Sequence, residues 1–500
     1  GVGAGDKVGF FLYNGPEYIE ATFGSFKVRA VPVNVNYRYT ESELAYLLKN
    51  SDSSAVVVSA ELAERLAAVL PGLDEVRLVV QVGGELDPSL AATEFGGEVV
   101  VYEDALRTAA PAPRIERRGD DLWFLYTGGT TGMPKGVMWP HSSLLGVGSA
   151  HFKGAKQEMP TDLPGFARTV RAIHDGGLAG RLLAAAPLMH GTSSMASWGA
   201  LSAGGAVVTL ESRSLDAAEL LDAVARHRVT NLTIVGDAFA KPIIAELEAA
   251  EAKGAPYDLS SLTMITSSGV IWSQPVKDAL LARADVVLAD LLGSSEGTGF
   301  ATSVAKRGRA APTARFRLGE FSKVFTEDGV EVEPGSGERG LLAVGGPIPI
   351  GYYKDPEKTD TVFKTFGGQV WSVPGDWATV EADGTIQLLG RGSACINTAG
   401  EKVYPEEVEE TLKLHPAVED ANVVGVPDEK WGNAVTAVIG LRDGASVTAD
   451  ELIAHCRETL AGYKCPKHVV MVDRVLRGPN GKADYRWAAS IADAAPTASS

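Results

Sequence analysis

The chain repeatedly exchanges short apolar runs for amphipathic stretches of helical length. Apolar residues 8–12 precede a helical pattern over 17–27, 31–35 follow, and 55–58 lead into 61–69 and 78–82. A second series repeats this at 206–210, 215–226, 232–235, 239–250, 264–266 and 286–292. Strands that alternate with helices read as βαβ units around a mainly parallel sheet, here as two doubly wound halves. After Arg391 the character changes. Pro405 heads a helix with Glu406 and Glu407 in its first turn and Val408 and Leu412 one turn apart. Strands at 421–426 and 434–441 and a helix at 449–460 complete a small α+β lid. The expectation is an α/β chain with a large domain over 1–390 and a small domain over 391–500. The Ala/Ser/Pro-rich tail 491–500 is expected to be disordered.

With 500 residues, 45% of them hydrophobic, the chain can bury a core large enough for such a division. A net charge of −17 argues against nucleic acid or an anionic membrane as partner, because both select a basic surface. Positive charge gathers locally near the end, at Lys464, Lys467, Arg474, Arg477, Lys482 and Arg486, against Asp473 and Asp484. Cys395, Cys456 and Cys465 form neither an even set nor a CxxC pair, which points to a reducing cytoplasm rather than a disulfide or zinc framework. No signal peptide opens the chain and no apolar run reaches the ~18 residues of a membrane helix. The chain starts without Met, and a missing native N-terminal segment is expected.

The densest local chemistry lies at Thr127-Gly128-Gly129-Thr130-Thr131-Gly132, with Lys135 three residues on. Glycines let backbone N–H groups approach an anion, threonine hydroxyls add donors and metal contacts, and lysine adds a point charge. The spacing is not that of a Walker A loop, because Lys135 follows Pro134 and runs into Val137-Met138-Trp139 instead of opening a helix. The apolar run 122–126 reads as a buried strand entering this phosphate loop. Thr266-Ser267-Ser268-Gly269 and Gly293-Ser294-Ser295-Glu296 follow two further strands, and open α/β sheets bind ligands at such carboxyl ends.

These residues resemble the ATP-binding signature of the adenylate-forming superfamily of acyl-CoA synthetases, luciferases and peptide-synthetase adenylation domains. Further matches follow in order. Ala186-Pro187-Leu188-Met189-His190-Gly191 resembles the motif whose histidine borders the substrate carboxylate and gates the acyl pocket. Asp290-Leu291-Leu292-Gly293-Ser294-Ser295-Glu296 resembles the adenine and magnesium motif, with Leu292 where many relatives stack an aromatic. Gly375-Asp376 resembles the ribose-binding pair. Gly390-Arg391-Gly392-Ser393 resembles the hinge, with Ser393 in place of aspartate or lysine, and Gly481-Lys482 resembles the C-terminal lysine loop. Together with Ile350-Gly351-Tyr352-Tyr353-Lys354-Asp355 and Ala483-Asp484-Tyr485-Arg486-Trp487, these flanks are most similar to actinobacterial fatty-acyl-CoA synthetases, particularly those acting on steroid side-chain acids.

The resemblance implies a luciferase-like fold, with a mobile lid, and a two-step ligase that forms acyl-AMP and then a CoA thioester. ATP, Mg²⁺ and CoA are the implied small molecules. It assigns Thr127 to Gly132 and Lys135 to the phosphates and Ser295 to the α-phosphate. Glu296 with Thr127 falls to Mg²⁺, Asp376 with Arg391 to ribose, and Ser268, Gly269, Asp290, Leu292 and Gly293 to the nucleotide. Lys482, His190, Glu296 and Thr127 are the implied catalytic residues. His190, Asp237, Trp272, Gly297, Gly299 and Phe300 form the implied acyl pocket, the small residues leaving room for a long or bulky acid. The partners are a small carboxylic acid, ATP and CoA, with room for a homodimer and without nucleic acid or a membrane segment. Two alternatives stand: a fatty-acyl-AMP ligase that passes its acyl group to a carrier protein, and a catalytically silent nucleotide-binding regulator. A peptide-synthetase adenylation domain is disfavoured.

Overall fold

A computed structural model describes the chain except residues 128–132, 270–271, 309–314, 392–395, 399–400, 429–431, 461, 479–481 and 495–500, and the side chains of 391, 397, 401 and 402. The first apolar series forms a seven-stranded sheet from β1 (Lys7–Phe11), β2 (Val31–Asn34), β3 (Ser53–Ser59), β4 (Leu78–Val82), β5 (Glu98–Val101), β6 (Leu122–Thr127) and β7 (Lys135–Pro140). Its order is β5-β4-β3-β1-β2-β6-β7, parallel except for the β6–β7 hairpin at the edge. Every residue of β3 is buried, as expected of a strand covered on both faces. Local signals fix the helices between strands. The helix Glu41–Asn50 begins with a Thr40/Glu43 capping box and buries Leu44, Leu47 and Leu48.

The second series forms the parallel part of a larger sheet, in the order β9 (Ala206–Val208), β8 (Arg181–Ala184), β10 (Asn231–Ile234), β11 (Met264–Ser268) and β12 (Val287–Ser294). Beyond β12 the pairing turns antiparallel, through β13 (Gly297–Ala305), β14 (Arg315–Leu318), β15 (Ser322–Phe325), β16 (Arg339–Val344), β17 (Phe363–Phe366), β18 (Gln369–Ser372), β19 (Asp376–Val380) and β20 (Thr385–Arg391). The sheet is therefore mixed. The βα alternation in the sequence exposes only its parallel half. Separate apolar cores fill the two sheets, one around Val33, Val56 and Phe124, the other around Leu232, Ile265 and Leu288.

The last part of the chain has its own core of Val408, Leu412, Val423, Ile439 and Leu452. It contains the two-stranded pair β21 (Ile396–Thr398) and β22 (Glu401–Val403), and a three-stranded sheet of β23 (Val418–Asp428), β24 (Gly432–Leu441) and β25 (His468–Val472). The helix Pro405–Lys413 has proline at its start, Glu406 and Glu407 in its first turn, and Val408 and Leu412 inward. The first four residues of the tail depart from expectation: 491–494 are the last turn of the helix Tyr485–Ala494, and Ala492 is buried against Val424 and Val438, while 495–500 lie outside the described residues. An apolar stripe, invisible to composition alone, holds 491–494 in place. Cys456 and Cys465 are buried thiols, and Cys395 lies outside the described residues. No helix among the described residues is long and apolar enough to cross a membrane.

Candidate active site

Of the candidate phosphate-binding residues, Thr127 ends β6 and Lys135 begins β7. Thr127 and Lys135 face each other across the base of the turn, while Gly128 to Gly132 lie outside the described residues. Lys135 ion-pairs with Asp355. Asp355 also caps the helix Pro356–Val362 by accepting from Lys358 N at 2.9 Å, and the Lys135 bond holds its carboxyl below the usual range.

Residues 350–353 run along the outer edge of β7 through Met138 N to Gly351 O, Ile350 N to Met138 O and Tyr353 N to Gly136 O. This short segment delivers two side chains to the site. Asp355 reaches Lys135, and the Tyr352 hydroxyl donates to Glu296 Oε1 at 2.6 Å. Trp139 of β7 donates Nε1–H to Ser295 O at 3.0 Å. The turn between β12 and β13 that carries Ser295 and Glu296 is thus fixed from the hairpin side. The segment is itself held by Asp52, which accepts from Tyr353 Oη at 2.7 Å and Lys354 Nζ at 2.6 Å.

Parallel register brings the nucleotide candidates of the second sheet together: Ser268 pairs with Leu291 and Ser267 with Asp290. Gly269 has φ +97°, a backbone conformation that glycine adopts freely. Asp290 is almost fully buried and paired with the equally buried Lys277 at 3.2 Å. Burial raises its pKa to about 6 in spite of Lys277 and of a hydrogen bond from the Trp272 backbone. Its carboxylate therefore belongs to an internal ion pair. Leu292 packs against the core around Phe300.

His190 stands at the N-terminus of the helix Gly191–Ser202. The motif before it is pinned by two asparagines that the sequence reading missed. Asn14 Nδ2 donates to Ala184 O and Ala186 O while its Oδ1 accepts from Leu188 N. The fully buried Asn34 donates to Tyr126 O and to Met189 O at 2.7 Å, and accepts from Tyr126 N. Asn34 so ties the strand entering the phosphate loop to the residue before His190. An asparagine within the apolar run 31–35 was the available signal, since a buried amide needs partners. Burial, then the charges of Lys482 and Arg38, lower the His190 pKa to about 4. The charge of Lys482, from the small domain, thus acts on the imidazole.

Asp376 and Arg391 are direct cross-strand partners on β19 and β20. Ser393 lies outside the described residues. Gly390, one residue before Arg391, has φ +110°, and a Cβ there would strike the Glu406 carboxylate of the small domain. Other contacts join the domains, including Lys241 to Glu419 at 2.5 Å and a repulsion of Asp290 by Glu410.

The acyl-pocket candidates divide. Asp237 accepts from Ser273 N and Ser273 Oγ at 3.0 and 2.7 Å, at the start of the helix Gln274–Arg283. Trp272 is fully buried in the core of the second sheet. Phe300 belongs to the core of the antiparallel half. A Cβ on Gly297 would meet Val344 at 2.7 Å, so protein already fills that space, whereas one on Gly299 would meet nothing. Of the C-terminal basic residues, Lys464 pairs with Glu407 and Arg477 with Asp420. Part of that positive charge is spent inside the small domain.

A hard cation such as Mg²⁺ takes one or two carboxylates, the remaining positions going to phosphate oxygens and water. The donor set fits. Glu296, whose carboxylate accepts from the Tyr352 hydroxyl, could supply the carboxylate, and no group of three or more ligating side chains occurs among the described residues.

The chain is 43% identical to the 3-oxocholest-4-en-26-oate–CoA ligase of Rhodococcus rhodochrous, over 98% of this chain and 87% of that protein. It is 42% identical to a medium/long-chain-fatty-acid–CoA/3-oxocholest-4-en-26-oate–CoA ligase of Mycolicibacterium smegmatis, over 99% and 89%. Among solved structures, ATP-bound MatB of Rhodopseudomonas palustris superposes with a TM-score of 0.77 at 22% identity, covering 99% of this chain and 90% of that one. The model of the AMP-binding enzyme family matches residues 1–353 and that of its C-terminal domain residues 407–482. With family models that together span most of its length and a curated relative at 43% identity, the chain belongs to the AMP-binding enzyme family.

Proposed function

We propose that this protein is an ATP-dependent, AMP-forming carboxylic acid–CoA ligase, acting in the cytoplasm on a long-chain, bulky or steroid side-chain acid. The observation that carries the reading is that the charge of Lys482, on the small domain, acts on His190, the residue proposed to border the acid. Similarity to ligases of fatty and cholestenoic acids supports the substrate class.

The first step is attack of a carboxylate oxygen on the α-phosphorus of ATP, breaking the α–β phosphoanhydride bond and releasing pyrophosphate. A carboxylate is a weak nucleophile among anions, so the protein's work is to neutralise phosphate oxygens and hold the reactants in line. Lys135 and the Thr127 to Gly132 turn bind the β- and γ-phosphates, and Ser295 contacts the α-phosphate. Asp376 and Arg391 hold ribose, and Lys482 bridges the carboxylate and the α-phosphate. Mg²⁺, when bound at Glu296, supplies further positive charge. His190, neutral above about pH 4, borders the acid without adding charge. In the second step the CoA sulfur attacks the acyl carbonyl, the thiol proton leaves to solvent, and AMP departs. Rotation about Ser393 withdraws Lys482 between the steps.

ATP–pyrophosphate exchange with a panel of medium-chain, long-chain, aromatic and steroid acids, followed by CoA-dependent AMP release, tests the assignment. Exchange without CoA-dependent release marks an acyl-AMP ligase, and no exchange with any acid marks a silent nucleotide binder. Lys482→Ala is expected to slow acyl-AMP formation by ~10²-fold or more, the scale of one preorganised charge contact, while sparing thioester formation from pre-made acyl-AMP.

A further inference from the structure

Lys482 is exposed, and its long side chain can reach a defined point only if its backbone is fixed. The chain on either side of it is tied to the interior of the small domain. Before it, the Arg477 guanidinium grips Asp420 of β23 in a two-bond fork, Nε to Oδ2 at 2.6 Å and Nη2 to Oδ1 at 2.6 Å. Arg477 also faces Ala483 across an antiparallel bridge, and Gly478 N donates to Lys482 O at 2.8 Å. After it, Tyr485 opens the helix Tyr485–Ala494 and packs against the core around Val424 and Val438, where burial and the neighbouring Glu409 carboxyl raise the pKa of its hydroxyl. Glu409 is only 4% exposed and accepts from Val423 N of β23 at 2.9 Å. Asp420 and Val423 are three residues apart on one strand, so both ties end on β23.

Burying such groups is an expensive way to gain stability, because desolvation offsets much of the attraction; a fork of fixed geometry can instead select one arrangement. Resting on the adenylation role of Lys482, we propose that Arg477–Asp420 and Tyr485–Glu409 are two anchors that position Lys482 for acyl-AMP formation. They act through the backbone of Arg477 and Gly478 before Lys482 and of Ala483 to Tyr485 after it, and do not touch the reacting atoms.

Asp420→Asn and Tyr485→Phe each remove one anchor with little change of shape. Both are to be assayed alone and combined with Lys482→Ala, in ATP–pyrophosphate exchange and in thioester formation from acyl-AMP prepared separately. Each single variant is expected to lower kcat for exchange on the order of 10²-fold, the scale of a misplacement of about 1 Å. KM for ATP and thioester formation should change little, and the Lys482→Ala background should show no further loss. Equal loss in both half-reactions, or the same loss with and without Lys482, overturns the proposal. If circular dichroism shows that Asp420→Asn fails to fold, Arg477→Lys takes its place. It keeps the charge, loses the fork and carries the same expectations. Full exchange activity in Lys482→Ala would instead overturn the underlying role of Lys482, whatever the anchor variants do.

Discussion

Burial keeps the His190 imidazole neutral down to about pH 4, with Lys482 and Arg38 adding to the effect. In Lys482→Ala one of those cations is gone, so the His190 pKa should rise, which a ring-proton NMR titration reads directly; an unchanged midpoint would mean that the two residues are not neighbours in solution. The same group sets a sign for stability. Its folded pKa lies below the ordinary value of 6.5, so its contribution to stability falls as pH drops from about 6.5 to 4. Asn34 carries a second expectation at this scale. Asn34→Ala leaves Tyr126 N, Tyr126 O and Met189 O without the bonds they make now. Each buried orphan costs ~1–3 kcal/mol, partly recovered by relaxation, so a loss of about 2–4 kcal/mol is expected in urea unfolding. Residues within motifs, such as His190 and Glu296, could be read from sequence because neighbours along the chain identify them. Asn14, Asn34 and the partners of Tyr352 could not, because their bonds span 56 to 174 positions.

Among the elements, the short edge segment 350–355 has the most consequence, since it aligns Glu296 and pairs with Lys135. Tyr352→Phe removes only the hydroxyl. A hydrogen bond to a charged group is worth ~1.5–3 kcal/mol, so roughly a tenfold rise in the Mg²⁺ concentration needed for half-maximal exchange is expected. A magnesium titration of pyrophosphate exchange measures it, and an unshifted curve would remove Tyr352 from the alignment of Glu296. Parallel strands such as β3 and β10 were legible because burial on both faces makes them continuous apolar runs. The antiparallel strands β14, β17 and β18 are four residues long and half or more exposed, with Phe316 the one buried residue of β14, so they carry little apolar signal. Gly390 joins element to element. Gly390→Ala meets the positive φ, where a side chain is strained, and displaces the Glu406 carboxylate from its place beside β20, and should lower the melting temperature through both effects; an unchanged melting temperature would mean that the residue relaxes freely there.

For the molecule as a whole, the small domain carries a proton-dependent term that reaches to higher pH than that of Asp290 in the large domain. Burial raises the Glu409 pKa to about 8, with Lys413 opposing and Glu406 reinforcing the shift. Facing it are the Val423 N–H on β23, Arg477, Tyr485, and Lys413 and Glu406 of its own helix. In the unfolded chain the same carboxyl ionises near its ordinary value of 4.5. Between about pH 4.5 and 8 the folded protein therefore binds a proton that the unfolded chain has lost, and stability falls as pH rises through this window. Asp420 is depressed below 3.8 by Arg477 despite its burial, so its own dependence lies at lower pH and does not overlap. Asp290, raised to about 6, acts in the same direction as Glu409 but ends its window two units earlier. Glu409→Gln keeps an acceptor for Val423 N and cannot ionise. The variant should match the parent near pH 5 and exceed it at pH 9 by on the order of a few kcal/mol. Melting temperatures of both proteins from pH 5 to 9 decide the matter: curves that stay parallel would mean that Glu409 ionises in the folded domain as easily as in the unfolded chain, and that the interior behind Lys482 is wet.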